Sequence, residues 1–234
     1  MYEIYRCHRT EYDRLVAAED HDRHLPEFLR SIVDWRGKIV LEGGLGTGRV
    51  SELFIEHARR LIGFDREPHM LDAARERLAR FADKIELRPA DNLDLPVLPE
   101  KADLFAEGWS WGHSIVDGPG SIEPIADALF DNVRKNLVPG GFVVLIETLG
   151  TNALSPAAPH PRLAEFYQLL QSRCGLRQAA ISTDYSFRSA QEAADILGFF
   201  FGDPMKQAVH AAGSAIVPEW TGIWYGPVPP GSQP

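Results

Sequence analysis

The stretch Lys38 to Gly48, KIVLEGGLGTG, reads as an apolar strand (Ile39, Val40, Leu41) closed by Glu42 and followed by a glycine-rich turn. Gly44, Gly46 and Gly48 stand at G-x-G-x-G spacing, and a helix is expected from near Arg49. Glycine lets the backbone take left-handed angles and lets a ligand approach without a Cβ in the way. The freed amides and the helix start form an electropositive cradle for a polar or anionic group. Ligands of open α/β sheets bind at such a turn beyond a parallel strand.

Outward from this turn the chain alternates strand and helix. Val50, Leu53, Phe54, His57 and Leu61 follow helical spacing, and Leu61 to Phe64 reads as a second strand ending at Asp65. Pro68 suits the first turn of the next helix, striped by Leu71, Ala74, Leu78 and Phe81. Strands are expected over Ile85 to Arg88 and Ala102 to Ala106, the second running into EGWSWGHS from Glu107. Ile122 to Leu137 carries an amphipathic helix, and Pro139-Gly140-Gly141 turns it into a strand over Phe142 to Thr148. Five strand–helix units in this rhythm call for a parallel sheet covered on both faces.

The flanks differ. Apolar positions from Glu11 to Trp35 suit a helix or a pair broken at Pro26, which would lie across the sheet or cap its ligand edge. Residues 149–162 read as a long loop. A helix follows over Arg162 to Cys174, then a strand over Ala180 to Phe187. Ser189 with Glu192 forms a capping box before a further helix, and Glu219 to Tyr225 closes the fold as a last strand. The expectation is one domain: a helical cap (1–36), a ligand-binding core (37–148), a loop, helices and strands (149–226) and a loose tail (227–234).

With 234 residues, 44% hydrophobic, the chain can bury one sizeable core. A formal charge of −9 is a poor start for gripping a phosphate backbone, which disfavours nucleic acid as partner. Cys7 and Cys174 share no local pattern, so a reduced cytoplasmic protein without disulfides or thiolate metal is expected. No apolar run approaches the ~20 residues that cross a bilayer. Asp20, His21, Asp22 and His24 suggest a solvated face rather than a metal site, since helical geometry spreads them around the cylinder. The contiguous Phe199, Phe200 and Phe201 cannot all face one core.

Arg49 stands where a dinucleotide fingerprint needs its last glycine, so that pattern fails. Glu42-x-Gly44-x-Gly46-x-Gly48 instead resembles the first motif of the class I S-adenosylmethionine-dependent methyltransferases. Asp65 matches the acid that this family places on the ribose hydroxyls, and Met70 the side chain packed against adenine. Asp91, with Asn92 beside it, matches the acid at the adenine amino group, and Leu137 to Gly141 the turn before the fifth strand. The resemblance covers residues 37–148. It implies a Rossmann-like, seven-stranded, mostly parallel sheet with an antiparallel last strand and helices on both faces. Glu42, Gly44, Leu45, Gly46, Gly48, Asp65, Arg66, Met70, Asp91, Asn92 and Glu107 would then hold S-adenosylmethionine and its product S-adenosylhomocysteine.

The implied reaction is direct in-line transfer of a methyl group to a small-molecule acceptor, without metal, by a monomer or homodimer. If the acceptor must lose a proton, His113 is the first candidate base and His160 the second, while Trp109 and Trp111 are candidates for the acceptor wall. Ala106-Glu107-Gly108-Trp109 replaces the Asn/Asp-Pro-Pro-aromatic signature of amino methyltransferases, which argues against DNA N-methylation. The alternatives are a non-catalytic cofactor-binding protein of the same fold and, further off, an NAD-dependent oxidoreductase.

Overall fold

The computed structural model describes residues 9–231; Cys7 and the last three residues of the expected tail lie outside them. The main sheet has seven strands: β1 (Ile39–Gly43), β2 (Arg60–Asp65), β3 (Ile85–Pro89), β4 (Ala102–Gly108), β5 (Leu137–Thr151), β6 (Arg177–Ser182) and β9 (Glu219–Pro227). Their order is β3-β2-β1-β4-β5-β9-β6, and the pairs from β3 through β5 are parallel. The whole is the expected Rossmann-like arrangement, mostly parallel with an antiparallel strand. A separate two-stranded ribbon pairs β7 (Tyr185–Ser186) with β8 (Ile216–Val217). Helices are α1 (Arg9–Ala18), α2 (His24–Ile32), α3 (Pro68–Arg77), α4 (Trp111–Asp117), α5 (Ile122–Arg134), α6 (Pro161–Ser172), α7 (Ala190–Phe201) and α8 (Asp203–Ala212).

The chain clusters into two compact units. One comprises residues 30–147, 158–179 and 222 onward. Its central strand β1 is buried at every residue, as parallel strands covered on both faces require. Helix α5 turns Ile122, Ala126, Leu129, Phe130 and Val133 inward, the i, i+4, i+7, i+8 stripe of an amphipathic helix. The other unit comprises the residues up to Leu29, 148–157 and 180–221. Its core joins Leu15 and Ala18 of α1 to Tyr185, Phe187, Ala193, Leu197, Val209 and Val217.

Several local expectations are corrected. The break between the first two helices falls after Ala18, not at Pro26: Asp20 and Arg23 adopt left-handed angles. The Asp20 carboxylate then caps α2, accepting from His24 N (2.8 Å) and Leu25 N (3.0 Å), and Pro26 sits harmlessly in that helix's first turn. No α-helix follows the glycine turn, only a 3₁₀ turn over Ser51–Leu53. The Ser51 hydroxyl is drawn down to Glu42, and the following amides mix i−3 and i−4 partners. Pro139 to Gly141 is not a turn ahead of the strand but bulges within the long β5, which already begins at Leu137 and whose register against β4 shifts between Ala102 and Leu104. The strand expected over Ala180 to Phe187 splits into β6 and β7. The 149–162 loop is shorter than expected because β5 reaches Thr151 and α6 starts at Pro161.

Candidate active site

At the carboxyl end of β1 the loop is built as its glycines require: Gly44, Gly46 and Gly48 have φ of +63°, +57° and +77°. They serve different ends. A Cβ on Gly44 would lie 2.3 Å from Ser110 Cβ, and one on Gly43 2.4 Å from Asn92 Oδ1. The doubled glycine therefore makes room for the Asn92–Ser110 side chains, which hydrogen-bond to each other (3.3 Å). A Cβ on Gly46 would meet nothing within 4 Å, which leaves that side of its backbone open to approach. Leu45 is buried, its amide donating to Phe64 O of β2 (2.9 Å).

Asp65 closes β2 and is aimed at this loop. Its Oδ2 accepts from Gly46 N (2.8 Å) and its Oδ1 from Glu67 N (2.8 Å). Burial pushes its carboxyl above the usual range, against those two amide bonds. Parallel register pairs Glu42 with Gly63, so Glu42 and Asp65 share one face of the sheet. Glu42 is 1% exposed. Burial, with Glu107 and Asp65 nearby, pushes it up to about 8 despite the Ser51 hydroxyl.

Glu107 occupies the opposite face, because it is Ala106 that pairs with Glu42. It is fully buried. Its Oε2 accepts from Ser110 N (3.1 Å), Ser110 Oγ (2.8 Å) and Trp111 N (3.2 Å). Burial raises it to about 7. Beyond β3, Asp91 Oδ1 accepts from Leu93 N (2.8 Å), and its Oδ2 lies 3.7 Å from Arg66. Met70 is half-buried in the first turn of α3. Thr47 Oγ1, Asn92 Oδ1 and Glu107 Oε1 are buried without a hydrogen-bond partner among the described residues. Polar atoms left so are costly unless a ligand or solvent completes them.

Residues 40–141 match the profile of the methyltransferase domain family. That match spans just under half of the chain. The fold is that of the class I, S-adenosylmethionine-dependent methyltransferases. Among curated relatives, an uncharacterized methyltransferase of Geobacillus kaustophilus is 27% identical over 142 residues, 58% of this chain and 61% of that protein. Ribosomal RNA small subunit methyltransferase H of Mycobacterium avium is 45% identical over 64 residues, 26% of this chain and 17% of that one. The chain thus spans less than two thirds of either relative's length. Among solved structures, YcgJ from Bacillus subtilis superposes with a TM-score of 0.59 at 14% identity, covering 90% of this chain and all of that one. The (4+2)-cyclase SpnF superposes at 0.53 and 18% identity, covering 90% and 82%. Likeness at that identity concerns the fold alone.

Within residues 40–141, α4 follows β4 and carries Trp111 and His113, with Trp109 just before its start. Trp109 is partly exposed in a left-handed conformation (φ +55°), with Arg49 stacked 4.1 Å from its ring centre and its amide held by Ile146 O (2.7 Å). Trp111 does not wall a pocket: it is 1% exposed, packed between Phe105 and Phe130. His113 is half-buried, and burial lowers its pKa, so the neutral ring that can accept a proton prevails at neutral pH. His160 is differently employed. It caps α6, its Nδ1 accepting from Arg162 N (3.2 Å).

Sequence reasoning alone misses two residues that lie beyond the matched segment 40–141. Glu147 on β5 is 3% exposed and accepts from Gly112 N (2.6 Å). Arg162 donates to Ile115 O (2.7 Å), Gly120 O (2.7 Å) and Gly118 O (3.0 Å), clamping the far end of α4. A lone acid in an apolar strand gives a local signal for the first: burying it demands a specific partner. Among the described residues no cluster of three or more His, Cys, Asp or Glu could hold a metal ion, and no helix is long and apolar enough to cross a membrane. His21 and His24 bond instead to the carbonyls of Asp184 (3.2 Å) and Ser182 (2.8 Å).

Proposed function

We propose that this chain transfers a methyl group from S-adenosylmethionine to a small-molecule acceptor by direct in-line displacement. The observation that carries the reading is the Asp65 carboxylate bonded to the amide of Gly46, beside the open backbone of that glycine, at adjacent strand ends of a methyltransferase domain. The orphaned Thr47, Asn92 and Glu107 atoms fit a polar ligand in the same region. In this reading residues 37–148 form the donor-binding core. Gly44 to Gly48 hold the amino-acid end, Asp65 the sugar hydroxyls, and Met70, Asp91 and Asn92 the base, with Glu42, Leu45, Arg66 and Glu107 completing the wall. When bound, the donor supplies a methyl group already activated on a positively charged sulfur. The chain's part is then to orient the donor, exclude water and, where the acceptor must lose a proton, receive it on His113.

The net charge of −9 supports a small acceptor over a polyanion, even though one relative is named for ribosomal RNA. A second reading keeps the fold and the cofactor but not the transfer, since SpnF is named a cyclase on the same fold. A screen of metabolite extracts with methyl-labelled S-adenosylmethionine, read by mass spectrometry of the labelled product, separates the two. Transfer predicts a labelled small molecule and stoichiometric S-adenosylhomocysteine. Bound donor with no conversion by any fraction would favour the second reading.

A further inference from the structure

The opening turn of α4 is held by acids from two neighbouring strands. Glu107 of β4 takes the amides of Ser110 and Trp111, and Glu147 of β5 takes that of Gly112. Three consecutive amides that a helix cannot satisfy itself are thus all accepted by carboxylates, the sign that a helix start favours. Glu107 pairs in register with Leu145, and Glu147 stands two residues on, so both acids project from the same face. The contact is close: a Cβ on Gly112 would lie 2.8 Å from Glu147 Oε2, so any larger residue there would push the carboxyl aside. At seven residues α4 is too short to persist alone, and Arg162 fixes its other end. The next residue after Gly112 is His113.

We propose that Glu147 is a positioning residue: by holding Gly112 beside Glu107, it fixes the start of α4 and so the place of His113 at the strand ends. This rests on the reading of these strand ends as a transfer site. The two acids are mutually repulsive when both are ionised. The titratable group facing them is the Tyr167 phenol from α6, itself pushed up by burial and by both carboxylates, while Glu42 of β1 lies on the other face of the sheet and is raised in part by Glu107. Burial and Glu107 hold Glu147 well above the usual carboxylate range. With one of the two carboxyls protonated, an oxygen of each can face the helix without two like charges meeting. Losing that proton as pH rises sets two negative charges under one turn and loosens that turn.

The test compares wild type with Glu147→Gln and Glu147→Ala, reading hydrogen exchange at the amides of Trp111 and Gly112 from about pH 6 to 9, without donor or acceptor. In wild type, protection corrected for intrinsic exchange falls toward high pH. Glutamine keeps an oxygen for Gly112 N but cannot ionise, so protection at Gly112 stays flat with pH and turnover is rescued at its alkaline end. Alanine lowers protection at Gly112 by about tenfold or more. It lowers kcat with donor affinity unchanged. Equal protection at Gly112 in the alanine variant, or a wild-type pH profile in the glutamine variant, overturns the proposal. Should the alanine variant not fold, the glutamine profile decides. Wild type that shows the exchange behaviour but binds no S-adenosylmethionine refutes the functional reading and leaves the positioning role intact.

Discussion

Glu42→Gln separates what this carboxyl does to the fold from what it does for a ligand. In the folded chain Glu42 is 1% exposed, bonded to Ser51, and titrates at about 8 instead of 4.5. Between those two pH values the native state keeps a proton that the unfolded chain has released, so the free energy of unfolding falls as pH rises through that window. The gap between 4.5 and about 8, at about 1.36 kcal/mol per pH unit, corresponds to about 5 kcal/mol. Glutamine occupies the same volume and still accepts from the Ser51 hydroxyl, but has nothing to ionise. Urea unfolding followed by circular dichroism at a series of pH values should give variant and wild type of similar stability near pH 4.5. The variant's advantage should widen to several kcal/mol by pH 8 and stay level above. Above about pH 8, where the wild-type carboxyl is ionised, donor affinity should move the other way, because a negative charge favours a cationic ligand and the amide does not. A difference in stability that is constant with pH, or a variant less stable than wild type at pH 8, would refute the reasoning.

Four other substitutions test neighbouring parts of the site. Asp65→Ala should weaken S-adenosylmethionine binding by about 1–3 kcal/mol in calorimetry while the protein stays folded; unchanged affinity would remove Asp65 from the sugar. Gly46→Ala, with open space around it, should cost the fold only about 1 kcal/mol for its left-handed angle yet hinder the ligand. Gly44→Ala should cost about 3 kcal/mol or more in thermal unfolding because Ser110 stands in the way, and equal costs would contradict this division of labour. His113→Ala should abolish turnover on a proton-bearing acceptor with donor affinity kept. Since burial lowers the His113 pKa, the acid limb of the wild-type rate should fall below pH 6.5, and a limb above it would exclude this base.

The parts of this account legible beforehand were those with local signatures. Three glycines at alternate positions announced three left-handed angles, and an acid closing each of two short apolar strands announced side chains at the strand ends. What escaped depends on contacts distant in sequence. Seven residues of α4 carry no period to read, and its start is fixed by Glu147, 35 positions from Gly112. The helix expected after the glycine turn had the right apolar spacing. It yielded to the pull of buried Glu42 on Ser51, nine positions away, which no pattern of hydrophobicity records. Helix α8 was missed because only Val209 of its ten residues is fully buried, too few to stand out as a stripe. Pro26 has the look of a helix breaker in the sequence, yet in a first turn its missing amide has no intrahelical partner to lose.

The central claim is that the open backbone at Gly46 and the carboxylate of Asp65 receive one shared donor. Titration calorimetry with S-adenosylhomocysteine, with NAD as control, tests it most directly. The account predicts saturable one-to-one binding of S-adenosylhomocysteine, lost or much weakened in Asp65→Ala, and no response to NAD. Saturable NAD binding with no heat from S-adenosylhomocysteine would contradict it.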